Sequence, residues 1–346
     1  MKAAVLREIG KPLIVEEVPL PQLGPGEVLV QTHTCGICRT DLHIQDGLAY
    51  VPRLPHVPGH EPAGVIVETS PDVTEFHVGQ RVVPHLFVHS AECRYTRAGL
   101  QAQGMHLQGI LGVTLPGGFA EFFKAPARNC LPLPDAVPFD LGGLTSCAVV
   151  TAVHAYRKAA LQANDTALVL GAGGIGLILI QILHAAGVRV LALDRSPTSL
   201  IQATQAGAQQ TGLLAQTIPD QVRAFVGPDQ DGVDVVFELV SRAESMKAAA
   251  SFVRRGGQIV VLGEEAEFPA IDTIQIAQRE LRIVGSRNGG LQDARDALDW
   301  MARGVIRPVI AARFPLEQIN EALQVVRSGQ AQGRVIVVVR GQHANR

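Results

Sequence analysis

Apolar positions fall into two regimes along this chain. Up to about residue 140 they form short runs bounded by glycine and proline. Residues 28–30 follow the turn Gly24-Pro25-Gly26, and residues 63–67 and 81–83 are similar. Runs of this length between turn formers predict strands. Pro126, Pro132, Pro134 and Pro138 predict an extended, looping exit from the region. The expectation is a mainly β domain with several irregular loops.

Beyond about Leu141 the runs lengthen. Residues 167–170 read as a strand, 175–186 as a helix and 188–193 as a second strand. Further β runs at 233–240 and 258–262 each follow a helical segment, and 281–284 adds another strand. Alternation of this kind predicts a parallel sheet with helices on both faces. Residues 315–326 read as an amphipathic helix and 334–339 as a closing strand. The fold class is therefore α/β, a mainly β domain joined to a doubly wound parallel-sheet domain.

Composition narrows the picture. The chain has 346 residues, 47% apolar and 18% charged, enough apolar content for two cores and too much for disorder. A net charge of −2 gives no electrostatic case for a nucleic-acid or acidic-membrane partner. The start lacks the apolar segment of a secretory leader. The most apolar stretch, 167–193, is broken by Gly171, Gly173, Gly174 and Gly176 and interrupted by Gln181, His184 and Arg189, which argues against a membrane span. Cys35, Cys38, Cys93, Cys130 and Cys147 are too sparse and odd in number for a disulfide framework. A reducing, cytoplasmic setting is expected, with thiolates available as ligands.

Two constellations carry chemistry. The first is Gly171-Ala172-Gly173-Gly174-Ile175-Gly176, a G-x-G-x-x-G turn between a predicted strand and a predicted helix. Such a turn brings backbone close to a pyrophosphate at a helix N-terminus. Asp194 ends the next predicted strand, where a carboxylate accepts from the adenosine ribose hydroxyls and repels a 2′-phosphate. This favours NAD over NADP, and Arg195 beside it softens the preference. The second comprises Cys35-Gly36-Ile37-Cys38, Gly59-His60-Glu61 and Ser146-Cys147. Two thiolates and an imidazole make a three-ligand zinc site with an open position, as catalysis requires. The competing reading of Cys35 and Cys38, a redox C-x-x-C pair, calls for a different βαβ context.

With these residues the sequence resembles the zinc-containing alcohol dehydrogenases of the medium-chain dehydrogenase/reductase superfamily. The resemblance covers nearly the whole chain, from Gly24-Pro25-Gly26-Glu27-Val28 to Phe314-Pro315-Leu316-Glu317-Gln318-Ile319-Asn320-Glu321-Ala322 and Gly333-Arg334. It implies a GroES-like catalytic domain over 1–142, completed by 288–346, and a Rossmann dinucleotide-binding domain over 143–287. It selects Cys38 rather than Cys35 as a zinc ligand, with His60 and Cys147 completing the set. Glu61 is placed behind the metal, and Asp41 is the residue that holds His60. Thr40 is assigned to the substrate oxygen and His43 to a proton relay, although Thr40 also reads as a helix N-cap. Arg39 and Arg334 are assigned to the pyrophosphate, Thr151 and Ile175 to the nicotinamide ring. Leu48, Tyr50, His85 and Leu86 are placed around the substrate.

The sequence departs from the family pattern in one stretch. Many relatives hold a second, structural zinc on four closely spaced cysteines. Here the stretch reads Ser90-Ala91-Glu92-Cys93-Arg94-Tyr95-Thr96, with Gly104 at the last position. One thiolate cannot hold a tetrahedral site, so one catalytic zinc and no structural zinc are expected. The implied reaction is reversible hydride transfer between a small alcohol, or its carbonyl product, and NAD in a homodimer or homotetramer. The alternatives are a polyol or amino-alcohol dehydrogenase of the same superfamily, and a catalytically silent nucleotide-binding protein.

Overall fold

The computed structural model describes residues 1–48, 50, 52–216, 219–264, 272–329 and 331–340. The chain divides into two compact units. One comprises Met1–Val150, Gly289–Gly304 and Pro308–Arg346, and the other Thr151–Asn288 with Val305–Arg307. The first crossing falls at Val150, whereas the sequence reading put it after residue 142.

The first unit is built on a seven-stranded sheet. Its order runs Ile310–Pro315, Arg334–Val338, Glu27–Ile37, Glu61–Thr69, Arg81–Pro84, Cys130–Pro132, and Phe122–Pro126 pairs with the start of Glu27–Ile37. Only the first two strands pair in parallel; the other pairs are antiparallel. The long strand Glu27–Ile37 is central: it pairs with Glu61–Thr69 along one edge and with Phe122–Pro126 and Arg334–Val338 along the other, and most of its residues are buried. Val28 and Val30 pack with Ile66, Val82 and Phe123 in one core cluster. Cys35, Ile37, Leu42 and Ile44 pack in a second with Ile319, Leu323, Val335 and Val337. The predicted helix at 315–326 opens as a 3-10 turn, Leu316–Gln318, and continues as Ile319–Arg327.

The second unit is a six-stranded, wholly parallel sheet. Its order is Gln210–Leu213, Arg189–Asp194, Thr166–Leu170, Val233–Glu238, Val253–Val261, Arg282–Gly285. Counted along the chain this is 3-2-1-4-5-6, the doubly wound order that binds dinucleotides where the strand order reverses. Thr166–Leu170 is buried throughout, as a central parallel strand must be. Among the described residues no helix is long and apolar enough to cross a membrane, and all five cysteines are free.

Candidate metal centre and dinucleotide turn

The cysteine and histidine constellation assembles at one end of the seven-stranded sheet. The strand Glu27–Ile37 ends one residue before Cys38, which caps the helix Arg39–Asp46. Its neighbour in the sheet begins at Glu61, directly opposite Gly36, and His60 precedes it. Cys147 follows the 3-10 turn Gly143–Ser146, and Ser146 Oγ donates to the Pro84 carbonyl at 2.7 Å, which ties that turn to the same sheet. Three separate elements thereby bring their side chains together. The ligand atoms of Cys38, His60, Glu61 and Cys147 all lie within 4.8 Å of one another. Zinc bonds of about 2.0–2.3 Å put tetrahedral sulfur and nitrogen donors roughly 3.5–3.8 Å apart, so the donor set fits one zinc ion.

The imidazole is oriented for that purpose. His60 Nδ1 donates to Asp41 Oδ1 at 3.0 Å, and Asp41 Oδ2 accepts from the Cys38 amide at 2.8 Å. One carboxylate thus closes the helix N-terminus and fixes the histidine tautomer. His60 Nε2 is left buried with no hydrogen-bond partner among the described residues. A buried ring nitrogen without a partner is costly, and a metal ion satisfies it by taking the place of a proton there. Burial opposes charge on His60, but Asp41 and the Cys38 sulfur together lift its pKa well above the usual imidazole range. The sulfurs share protons unequally: Cys147 donates to Cys38 and holds that thiol well below its ordinary range, while Cys147 is pushed well above. This pairing of charge and proton suits a site that binds a cation through thiolates.

Glu61 lies against the same group, fully buried. Burial raises its pKa, and Arg334 opposes that rise. Arg334 Nη2 donates to both carboxylate oxygens at 2.5 Å. Burial disfavours charge on Arg334 too, yet Glu61 and the two sulfurs keep it firmly protonated. The approach is so close that a Cβ at Gly36 would sit 2.1 Å from Glu61 Oε2 and 2.7 Å from Leu144 Cδ2.

The other expected site residues are distributed as follows. Thr40 is the second residue of the helix and not its cap, a position held by Cys38; its Oγ1 lies 3.8 Å from Cys38 Sγ. His43 sits one turn further along that helix, half-buried, and Arg39 is exposed at its start. Leu86 packs in the core cluster that Tyr50 and Cys147 border, while Leu48 is exposed. Cys35 is wholly buried, and burial pushes its thiol far above the ordinary range, so it is no nucleophile.

In the second unit the glycine turn follows Thr166–Leu170, and Gly173 caps the helix Gly174–Ala185. Each glycine has its own reason. Gly171 has φ +102°, a conformation open mainly to glycine. A Cβ on Gly176 would lie 2.0 Å from the Gly171 carbonyl oxygen. A Cβ on Gly173 would meet nothing within 4 Å, which leaves that face of the turn open to a ligand. Asp194 ends Arg189–Asp194; its Oδ2 accepts from the Ala172 amide at 2.7 Å and its Oδ1 from the Ser196 amide at 2.8 Å. The carboxylate is thus pinned beside the turn with lone pairs to spare. Arg195 is exposed, Ile175 half-buried and Thr151 buried.

Known proteins match this layout. A family model described as the alcohol dehydrogenase GroES-like domain matches residues 24–135, and one described as zinc-binding dehydrogenase matches 174–303. An alcohol dehydrogenase of Geobacillus stearothermophilus is 35% identical over 98% of this chain and 100% of its own length. The chain belongs to the zinc-containing alcohol dehydrogenase family, of the medium-chain dehydrogenase/reductase superfamily. Its fold is accordingly a GroES-like domain with a Rossmann domain. The alcohol dehydrogenase structure from Aeropyrum pernix superposes with a TM-score of 0.90 at 28% identity, covering 98% of this chain and all of its own. A structure of an NAD-dependent alcohol dehydrogenase gives 0.92 at 26%, covering 98% of this chain and 100% of that one.

The family's structural-zinc lobe is altered here. The short strands Phe87–His89 and Leu107–Ile110 pair at its base. Cys93 Sγ accepts from the Met105 amide at 3.4 Å, and such amide donors push its thiol down to about 7. A Cβ on Gly104 would fall 2.1 Å from His89 Nε2, so the His89 ring fills the space a side chain at 104 would need. Among the described residues, His89, Cys93 and His106 do not gather into a metal-sized donor group.

One feature escaped the sequence. The pairing of Arg334 with Glu61 spans 273 residues and leaves no local pattern. The resemblance assigns Arg334 to the pyrophosphate; its Nη2 donates to Glu61, and its Nε has no partner among the described residues. His85, which the resemblance places around the substrate, is buried with its ring bonded to the Gly289 carbonyl.

Proposed function

We propose that this chain is an NAD-linked, zinc-dependent alcohol dehydrogenase that interconverts an alcohol and its aldehyde or ketone. The observation that carries the reading is the convergence of Cys38, His60 and Cys147 around the orphaned His60 Nε2. These three residues would hold the ion. When bound, zinc acts as a Lewis acid that lowers the pKa of an alcohol, and NAD accepts the hydride. Asp41 keeps the His60 lone pair facing the ion's position, and Glu61 supplies a fourth, reserve oxygen whose charge Arg334 balances. Thr40, beside Cys38, is the residue to receive the substrate hydroxyl's proton, and His43, one helical turn on, is the residue to pass it to solvent.

On the cofactor, the open face at Gly173 and the amides of the following helix would take the pyrophosphate, with Arg39 and Arg334 as its cationic partners. Thr151 and Ile175 would border the nicotinamide. Asp194 would accept from the ribose hydroxyls and disfavour a 2′-phosphate, with Arg195 moderating the choice. One zinc per chain follows, since the lobe keeps a single cysteine. Five free thiols support a reducing, cytoplasmic setting, and a homodimer or homotetramer follows the family.

The test is a panel of primary, secondary and polyhydroxylated alcohols with zinc-loaded protein, followed by the absorbance of the reduced cofactor. NAD-linked oxidation is expected, with kcat/KM for NAD above that for NADP by about tenfold or more. No oxidation of any alcohol overturns the activity, and a preference for NADP overturns the role of Asp194.

A further inference from the structure

A cavity of the first unit lies apart from the metal centre. It measures about 520 Å³ and is enclosed by the strand Glu27–Ile37, the end of Arg334–Val338 and the short helix Phe139–Gly142. Cys35 and Ile37 pack in the core cluster with Val335 and Val337. Thr34 and its cross-strand partner Val338 therefore face the other side of the sheet. That side carries the helix: a Cβ on Gly36, which shares the face of Thr34, would lie 2.7 Å from Leu144 Cδ2 in the turn that follows it. His33 joins this face through a β-bulge. Thr32 and Thr34 pair with the consecutive residues Gly64 and Ala63, which leaves His33 as the extra residue. Its ring stacks on Phe139 with centroids 4.1 Å apart, and the Arg81 guanidinium lies 4.4 Å from the centre of the same Phe139 ring.

The lining is cationic at one end and apolar elsewhere. Arg313 Nε donates to Asp140 Oδ2 at 2.6 Å, so those two charges offset each other while the Arg313 Nη donors remain. Arg340, half-buried, donates through Nη1 to the neutral Gln31 Oε1 and forms no ion pair with a described residue. Arg81 commits its guanidinium to the Pro134 and Val137 carbonyls and to Asp135. Burial, with Arg340 and Arg81 adding to it, holds the His33 imidazole below its ordinary range, so the ring is neutral. One positive charge, that of Arg340, is thus left without a counter-charge, and a partly buried unpaired charge costs free energy until an anion meets it. Two polar atoms of the lining residues are unsatisfied as well: His33 Nδ1 and the Oγ1 of Thr34, a residue 3% exposed, have no partner among the described residues. Pro138, Leu141 and Val338 supply an apolar wall beside Phe139.

We infer that this cavity binds a small monocarboxylate with an apolar body, the carboxylate on Arg340 and Arg313 and the body against Phe139, Leu141 and Val338. The planar guanidinium fork matches a carboxylate. A single uncompensated positive charge, with the Asp140 carboxylate close by, selects a monoanion over a phosphate dianion. The volume suits a ligand of drug-like size, and the mixture of apolar walls with a few polar groups is that of a small-molecule site. The site is distinct from the metal centre. No residue that lines it is a metal donor, and Thr34 and Cys38 stand about 13 Å apart along the extended strand.

The experiment is isothermal titration of the zinc-loaded full chain with 3-phenylpropanoate, its neutral amide 3-phenylpropanamide, and 2-phenylethyl phosphate. Saturable binding of the carboxylate is expected, with the amide weaker by about tenfold or more, as loss of a charged hydrogen bond requires. Arg340→Gln is expected to weaken the carboxylate by a similar factor while Tm stays within about 2 °C of the unchanged chain. Arg340→Lys, which keeps the charge without the fork, is expected to recover part of that loss. No saturable binding of the carboxylate at millimolar concentration overturns the inference, and so does an amide that binds equally well. Carboxylate binding undiminished in Arg340→Gln places the ligand elsewhere, the metal centre included, and overturns it too. Tighter binding of the phosphate than of the carboxylate overturns the choice of a monoanion. The alcohol dehydrogenase reading stands or falls independently of all four results.

Discussion

Cys38 carries more of the site than any other single atom group. It caps a helix through its backbone, offers a sulfur to the ion and lies against Thr40. Cys38→Ser keeps the cap and removes the thiolate, so zinc content should fall and turnover should drop by more than about 100-fold, while NAD still quenches or shifts protein fluorescence on binding. Full activity in that variant would remove Cys38 from the metal. His56 gives a separate, structural test. It is 4% exposed, its backbone pairs with Leu6, and burial pushes its pKa down to about 4 despite a bond with the Gly112 backbone. The unfolded chain takes up that proton near pH 6.5 and the folded chain only near 4. The stabilisation from a neutral His56 is therefore complete above about pH 6.5 and lost as pH falls toward 4, by roughly 3 kcal/mol. Chemical denaturation over that range should show a shallower pH slope in His56→Leu than in the unchanged chain; equal slopes would refute the assignment. At this scale the sequence told which residue types to seek, and the resemblance chose Cys38 over Cys35. What it did not tell is how charges pair across the sheet, because Arg334 and Glu61 meet only through the register of non-neighbouring strands.

The dinucleotide turn separates two roles that one motif conflates. Gly176 is required by packing, since any side chain there strikes the Gly171 carbonyl, whereas Gly173 faces open space. Gly176→Ala is expected to lower Tm and weaken NAD binding together. Gly173→Ala is expected to leave Tm within about 1 °C and raise the Kd for NAD about tenfold or more, because only the ligand contests that space. Equal loss of Tm in both would show that the open face at Gly173 serves the fold and not the cofactor. Elements with strong periodicity were legible: the strands at 167–170 and 188–193 and the helix between them lie where the pattern puts them, to within a few residues. Gln210–Leu213 was not. Its sequence, Gln-Thr-Gly-Leu, has no apolar run, and it sits at the sheet edge with pairing on one side only. The strand at 28–30 extends to Ile37 because its polar members, Gln31, Thr32, His33 and Thr34, are carried by pairing with Glu61–Thr69 rather than by their own propensity.

At the scale of the whole molecule, the first unit carries a metal-sized donor set and the second a pinned, glycine-rich turn. The parallel sheet of the second unit was readable from alternation, although its strand order and the edge strand Gln210–Leu213 were not. The irregular first unit was not, since its strands are joined by long loops with no repeating pattern, and there the family resemblance did the work. The altered lobe is the main departure from that family, with His89 occupying the room beside Gly104. The central claim is that Cys38, His60 and Cys147 share one ion with an open position. The most direct check is zinc K-edge X-ray absorption on the purified chain. The spectrum is expected to show two sulfur neighbours at about 2.3 Å with nitrogen or oxygen neighbours at about 2.0–2.1 Å. A four-sulfur shell, a shell without sulfur, or a chain that binds no zinc would contradict it.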